Sequence, residues 1–395
     1  MSPATVLSPP ASTGAPTRDG ADLSNWRAPP FHRWSFRHLR EIIATETIAA
    51  DPGDVRPLTS APLSMDGFAL PDRGDTLDWT RFLEVTATSA VMILKDGKIA
   101  YEAYDAGMTA RTPHIVMSMS KSILGLVAGR LSANGRLNLE TPVIGLVPEV
   151  AATAYNGATL RHLLDMRAGA AFSPEETQRY TAAANWEPVT GDEPGDLHSF
   201  FASTPGVLAR PHGGPFAYVS ANSELLGWAI ERATGRTFAD LASELLWKPM
   251  GAACDAYVSL DRKGAARCTG GVCATVRDLA RLGQLVLDGG VRDGREVIAP
   301  AWLADMRDGG DVQAWKTGEW GPVFPYAEMR YRGGWYVVDS APKMLFAMGT
   351  HGQNLFVDPD NRLVVAKLSF HDAPFDYRLQ MLTHQAVHEI RRCLS

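Results

Sequence analysis

Ser118-Met119-Ser120-Lys121 sets a hydroxyl and an amine three residues apart. At the start of a helix both side chains lie on one face, and the amine can take the hydroxyl's proton. A serine activated in this way attacks a carbonyl carbon and forms a covalent intermediate. The chemistry makes a demand on the surroundings. An ordinary lysine pKa of about 10.4 must fall to roughly 7 to 8 before the amine is a useful base, about 4 kcal/mol, and burial on an apolar helix face can supply it. The competing reading of the same residues is a helix cap followed by an exposed lysine.

The spacing occurs a second time, at Ser340-Ala341-Pro342-Lys343. There it follows the strand-like run Trp335 to Asp339, and Pro342 denies a helix, so this copy is expected in a hairpin turn. Ser118 instead opens a run in which Ile123, Leu124, Val127 and Leu131 recur at helical spacing, until Asn134-Gly135 stops it. A serine-lysine pair also needs a group to protonate the leaving atom. Tyr218, just ahead of an apolar helical run through Leu225, Leu226 and Ile230, is the candidate; its alternative is a packed tyrosine at a helix entry. Two oxyanion donors are needed as well. The backbone N–H of Ser118 is one, at a helix N-terminus. The run Ala347 to Gln353, whose two glycines permit close backbone approach, should supply the other.

Stepping outward from these residues, Ala90–Leu94 and Ile99–Tyr104 read as strands around an Asp96-Gly97 turn. Gly334–Val338, Met344–Met348, Gln353–Val357 and Leu363–Leu368 read as further strands, and Tyr377–Cys393 as a closing helix. The middle reads as helical: 161–166, 220–234, 238–247 and 276–287. The expected architecture is α+β, with residues 1–22 a disordered tail, 23–150 and 288–395 a discontinuous α/β lobe, and 151–287 a helical lobe. The cleft between the lobes is the expected site.

Composition narrows the classes. The chain has 395 residues, 45% hydrophobic and 21% charged, with a formal net charge of −6. Without any basic run, nucleic acid and anionic membrane are not the expected partners. The first residues lack a basic stretch followed by an apolar one, and no apolar run reaches the roughly 20 residues needed to span a bilayer, so a cytoplasmic protein is expected. Cys254, Cys268, Cys273 and Cys393 fit neither a metal-ligand nor a disulfide spacing. His-Glu-x-x-His, Walker and dinucleotide motifs are missing, and no metal or organic cofactor is expected.

Ser118-x-x-Lys121 with Tyr218 resembles the class C β-lactamase, DD-peptidase and esterase superfamily, and within it the nylon-oligomer (6-aminohexanoate-dimer) hydrolases. The resemblance runs from about Leu23 to the C-terminal helix. It is most specific at Met117–Ser122, Tyr218–Asn222, Gly270–Val272, Arg277–Arg281 and His351–Leu355. It implies a β-lactamase-like fold, an antiparallel sheet flanked by helices with an all-helical insertion, and acyl transfer through Ser118, Lys121 and Tyr218.

Departures from the family pattern bear on substrate. Ser220 stands where most of the superfamily has asparagine, and Ala347-Met348-Gly349 replaces the usual cationic third motif, which implies poor β-lactam turnover. The same alignment makes Thr350 the second oxyanion donor, and puts His351 beyond that position, where a turn-supporting role is favoured over a base. Thr269 stands where the resemblance implies a polar substrate contact, and the 170–194 loop, whose family counterpart holds the substrate, matches less well and aligns only with gaps, departures that weaken the amidase expectation. Tyr180, Ser220, Thr269 and His351 are the candidate polar substrate contacts. Trp186 and Trp335 are candidate walls of an apolar pocket. The expected activity is hydrolysis of linear amides and esters as small-molecule substrates, with a homodimer as a possible assembly. The alternatives are a short-acyl carboxylesterase with weak amidase activity and a non-hydrolysing binding module.

Overall fold

The computed structural model describes every residue except 1–4, 8–17, 192, 193, 325, 327, 341 and 395. Its centre is an eight-stranded sheet. In chain order the strands are β1 Thr5–Val6, β2 Thr88–Lys95, β3 Lys98–Tyr104, β4 Met329–Arg332, β5 Trp335–Val338, β6 Met344–Gly349, β7 Gln353–Asp358 and β8 Leu363–Ser369. Across the sheet they run β1-β3-β2-β8-β7-β6-β5-β4, antiparallel except for β1 on β3. The β2–β3 turn puts Asp96 and Gly97 at φ 50° and 75°, the positive pair that a two-residue hairpin turn uses. Ser340 lies in the β5–β6 connection.

Period-two alternation divides the sheet's side chains between two cores. Met92, Leu94, Leu355, Val357, Val364 and Ala366 face one, with the helices Ser120–Ala133 (α1), Ala221–Thr234 (α2) and Val276–Leu287 (α3). Val91, Ile93, Phe346, Phe356 and Val365 face the other, with Leu382, Ala386 and Ile390 of Tyr377–Cys393 (α4) and with Phe82 of the helix Trp79–Val85. Both faces are covered, so the strands read as apolar runs.

The expected lobes need three corrections. Helix α3, placed with the helical lobe on its period, packs on β8, β7 and β2 instead, because its stripe of Leu279, Leu282 and Val286 fits that sheet face. The span 151–287 also contains two strands, Ala256–Ser259 and Val272–Ala274, which join Thr45–Ile48 and His114–Ile115 in a second sheet of four. These strands have only two to four residues, too short for alternation to reveal. In the expected tail, 1–4 and 8–17 lie outside the described residues, while Thr5–Val6 pairs with Ala103–Tyr104 and Leu7 N–H donates to the Tyr104 carbonyl at 2.7 Å. Among the described residues no helix is long and apolar enough to cross a membrane.

The small sheet positions the Met117–Met119 turn. His114–Ile115 pairs with Cys273–Ala274, and Val116 N–H donates to the Val272 carbonyl at 2.9 Å. Ser120 Oγ donates to the Met117 carbonyl at 2.7 Å and accepts from Val272 N–H at 3.1 Å. Helix α1 is then driven close to the β4–β5 turn: a Cβ on Gly125 would collide with the Gly333 carbonyl, so only glycine permits this approach.

Candidate active site

Ser118 does not sit in the α-helix proper. Met117–Met119 forms a 3-10 turn that leads into α1 at Ser120. Side chains three residues apart eclipse in such a turn, which tightens the spacing read from the sequence. Met117 is held at φ 49°, a left-handed conformation that is costly for a side chain of its size and sits immediately before Ser118.

Lys121 Nζ donates to Ser118 Oγ at 3.0 Å and to the Thr269 carbonyl at 2.9 Å. Its side chain is 2% exposed. Burial lowers its pKa to about 7, opposed by the Glu224 carboxylate and reinforced by the Arg267 guanidinium. The amine is therefore largely able to accept a proton near neutral pH. Tyr218 interacts with Ser118 through its hydroxyl, and burial holds that phenol well above its ordinary pKa, so it carries its proton. Lys121 Nζ lies 4.9 Å from the Tyr218 ring centre. The ring is fixed by stacking on Trp320 at 4.4 Å and 17°, and its backbone N–H donates to Glu319 Oε1 at 3.2 Å. Serine and amine from one turn of chain thus meet the phenol from a second segment.

Strand β6 closes the opposite side. A Cβ on Gly349 would lie 2.5 Å from the Val116 carbonyl and 2.9 Å from Ser118 N, so the strand end touches the backbone of the turn that carries Ser118. Thr350 follows it. Both Ser118 and Thr350 line a cavity of about 140 Å³, with Tyr218, Trp320, Met348 and Phe375 among its other walls. Phe375 is 49% exposed at its rim.

Three comparisons with known proteins bear on this geometry. The beta-lactamase family model matches residues 82–388. The chain belongs to the beta-lactamase family. A curated family relative, 6-aminohexanoate-dimer hydrolase of Paenarthrobacter ureafaciens, is 33% identical over 367 residues, covering 91% of this chain and 90% of that protein. Among solved structures, one from Bacillus anthracis provisionally named 6-aminohexanoate-dimer hydrolase superposes with a TM-score of 0.85 at 24% identity, over 96% of this chain and 99% of that one. EstCE1, a hydrolase with promiscuous acyltransferase activity, superposes with a TM-score of 0.58 at 18% identity, over 76% and 93% of the two chains. The fold is the β-lactamase-like one, with helices packed on antiparallel sheets.

Within this family frame, the residues expected to touch a substrate are placed elsewhere. None of Tyr180, Trp186, Ser220, Thr269, Trp335 and His351 lines the described cavity. Tyr180 directs its hydroxyl to Glu224 Oε1 at 3.2 Å. Trp186 packs edge-on against Trp26 at 5.3 Å, with the Arg267 guanidinium 3.9 Å from its ring centre. Thr269 turns its hydroxyl to the Ser220 backbone carbonyl at 2.8 Å, while its own carbonyl accepts from Lys121 Nζ. Trp335 is fully buried behind α1 and donates from Nε1 to the Ser122 carbonyl at 3.3 Å. His351 holds the turn after β6: it sits at φ 60°, its Nδ1 contacts the His371 carbonyl at 2.7 Å, and burial lowers it to about 4.

Sequence reasoning missed Trp320, Phe375 and the Glu224–Arg267 ion pair, closed at 2.9 Å behind Lys121. Trp320 and Phe375 come from loops without periodicity. A signal for the pair was available, since Glu224, six residues after Tyr218, is the one charged residue in the run Ala221 to Ile230.

Proposed function

We propose that this chain is a serine hydrolase that cleaves linear amides and esters through an acyl-enzyme, in the manner of its 6-aminohexanoate-dimer hydrolase relative. The observation that carries the reading is the 3.0 Å contact between Ser118 Oγ and a buried Lys121 amine lowered to about 7. In this reading Lys121 takes the Ser118 proton as Oγ bonds to the substrate carbonyl carbon. The carbonyl oxygen gains the negative charge and is held by the N–H groups of Ser118 and Thr350. As the bond to the leaving nitrogen or oxygen breaks, Tyr218 gives it a proton and is restored from the Lys121 ammonium. Water then repeats the sequence against the acyl-enzyme.

A second reading is a carboxylesterase of short acyl chains. The engagement of the Thr269 hydroxyl by the Ser220 backbone carbonyl favours it, since that hydroxyl is turned to the chain and does not line the cavity. Intact-mass analysis after fluorophosphonate treatment tests the common chemistry, with one adduct expected on Ser118; an unlabelled Ser118 in the folded protein would refute it. Comparing turnover of 6-aminohexanoate dimer with that of p-nitrophenyl butyrate separates the two readings. Amide turnover supports the first, and ester turnover alone the second.

A further inference from the structure

Behind Lys121 lies a layer of buried charge that the acyl-transfer scheme leaves unused. Glu224 and Arg267 are each 3% exposed. Arg267 Nη1 donates to Glu224 Oε1 at 2.9 Å, and Tyr180, itself a neighbour of Arg267 Nη1 at 3.2 Å, donates to the same oxygen. Glu224 Oε2 accepts the Thr269 N–H at 3.2 Å. The carbonyl of that same Thr269 accepts from Lys121 Nζ at 2.9 Å. One residue's backbone therefore joins the carboxylate to the base.

We propose that the Glu224–Arg267 pair is the positioning device of the active site: it fixes the Thr269 carbonyl against Lys121 and sets how readily that amine holds a proton. This rests on the reading of Lys121 as the base. A buried ion pair costs several kcal/mol of desolvation per ion and is weak evidence for stability, so its retention next to a catalytic amine calls for another role. Its two members act on Lys121 in opposite directions. The carboxylate favours the ammonium and the guanidinium disfavours it. Burial alone pushes the Glu224 carboxyl up, and Arg267 is the first group opposing that.

The groups facing Lys121 are few. They are Ser118 from its own turn, Tyr218 from the loop ahead of α2, Glu224 from α2, and Arg267 with the Thr269 carbonyl from the segment ahead of Val272–Ala274. Behind the pair stand Tyr180, Glu231, Cys268 and Arg27. Of these, Tyr180 alone donates a side-chain hydrogen bond to the Glu224 carboxylate.

The test is the pH profile of kcat/KM for p-nitrophenyl butyrate, measured on the full chain and its variants. The parent should show a rising limb near pH 7 that Lys121→Ala removes. Glu224→Gln should move that limb down by about one pH unit and Arg267→Gln should move it up by a similar amount. The double variant Glu224→Gln/Arg267→Gln should return it to within about 0.3 of the parent, because both charges leave together. Tyr180→Phe loses one hydroxyl and guards against misfolding of the charge variants; freeing a carboxylate lone pair, it should move the limb up by a few tenths. A merely structural pair would lower the rate without moving the limb. A limb that stays put in Glu224→Gln and Tyr180→Phe, or moves opposite to these signs, overturns this proposal alone. A parent profile with no limb that Lys121→Ala removes overturns the base reading and this proposal with it.

Discussion

Lys121 Nζ stands between Ser118 Oγ at 3.0 Å and the Thr269 carbonyl at 2.9 Å, and neither partner carries a charge. Burial penalises the charged form of an amine held by two neutral acceptors and shut away from water, and the Glu224 carboxylate behind it offsets only part of that, with the Arg267 guanidinium acting against the carboxylate. That is the physical basis for its pKa of about 7, where a surface lysine would stay charged.

Activity should therefore depend on pH in one direction through this group. Below about 7 the amine is an ammonium and cannot take the Ser118 proton; above it the free amine accumulates and acylation rises to a plateau. Lys121→Ala should lower kcat for p-nitrophenyl butyrate by about three orders of magnitude and flatten the limb. A rate within about tenfold of the parent would assign Lys121 to structure. Stopped-flow acylation across pH 5 to 9 reads both effects.

The role of Tyr218 is best separated by leaving group. An amine departs poorly unless protonated, whereas p-nitrophenolate leaves unaided. Tyr218→Phe should cost on the order of a hundredfold or more with an anilide or linear amide, and about tenfold or less with the activated ester. Trp320→Ala should imitate it in part, because the 4.4 Å stack with Trp320 is what fixes the Tyr218 ring. Equal losses on both substrates would argue for a ring that merely packs.

The strong signals in the sequence were the periodic ones. The β2–β3 hairpin, the run β5 to β8 and the helices α1 to α4 stand where their alternation or helical spacing put them, because long apolar periods leave one buried solution. The second sheet was not legible: Thr45–Ile48 and His114–Ile115 are far apart in sequence and too short to show a period. At the candidate site, Ser118, Lys121 and Tyr218 could be singled out because the proposed chemistry asks for those residue types, and the fold brings the three side chains together. The lining of the cavity was not legible. Trp335 and Trp186 are large and aromatic wherever they pack, and nothing in their type distinguishes a core indole from a pocket wall. Trp320 and Phe375 took the cavity positions from loops whose course is set by tertiary contacts.

A second buried amine gives a prediction about stability. Lys367 is 2% exposed, with Nζ on Ser369 Oγ at 2.5 Å and the Thr86 carbonyl at 3.3 Å, and burial lowers it to about 7. In the unfolded chain the same amine titrates near its ordinary value of 10.5. Between these two values the unfolded state binds more protons than the folded one, so stability contributed by this group rises with pH, and it is lost again as pH falls toward 7. Lys367→Met removes the titration while keeping an unbranched apolar stem. The stability of Lys367→Met relative to the parent should be greatest at pH 7 and shrink by about 1.4 kcal/mol per pH unit up to about pH 9. Comparing the two proteins cancels the tyrosines and cysteines that titrate in the same range. Urea unfolding at pH 7, 8 and 9 measures the difference, and a gap that does not change with pH would mean that Lys367 keeps its proton in the folded protein.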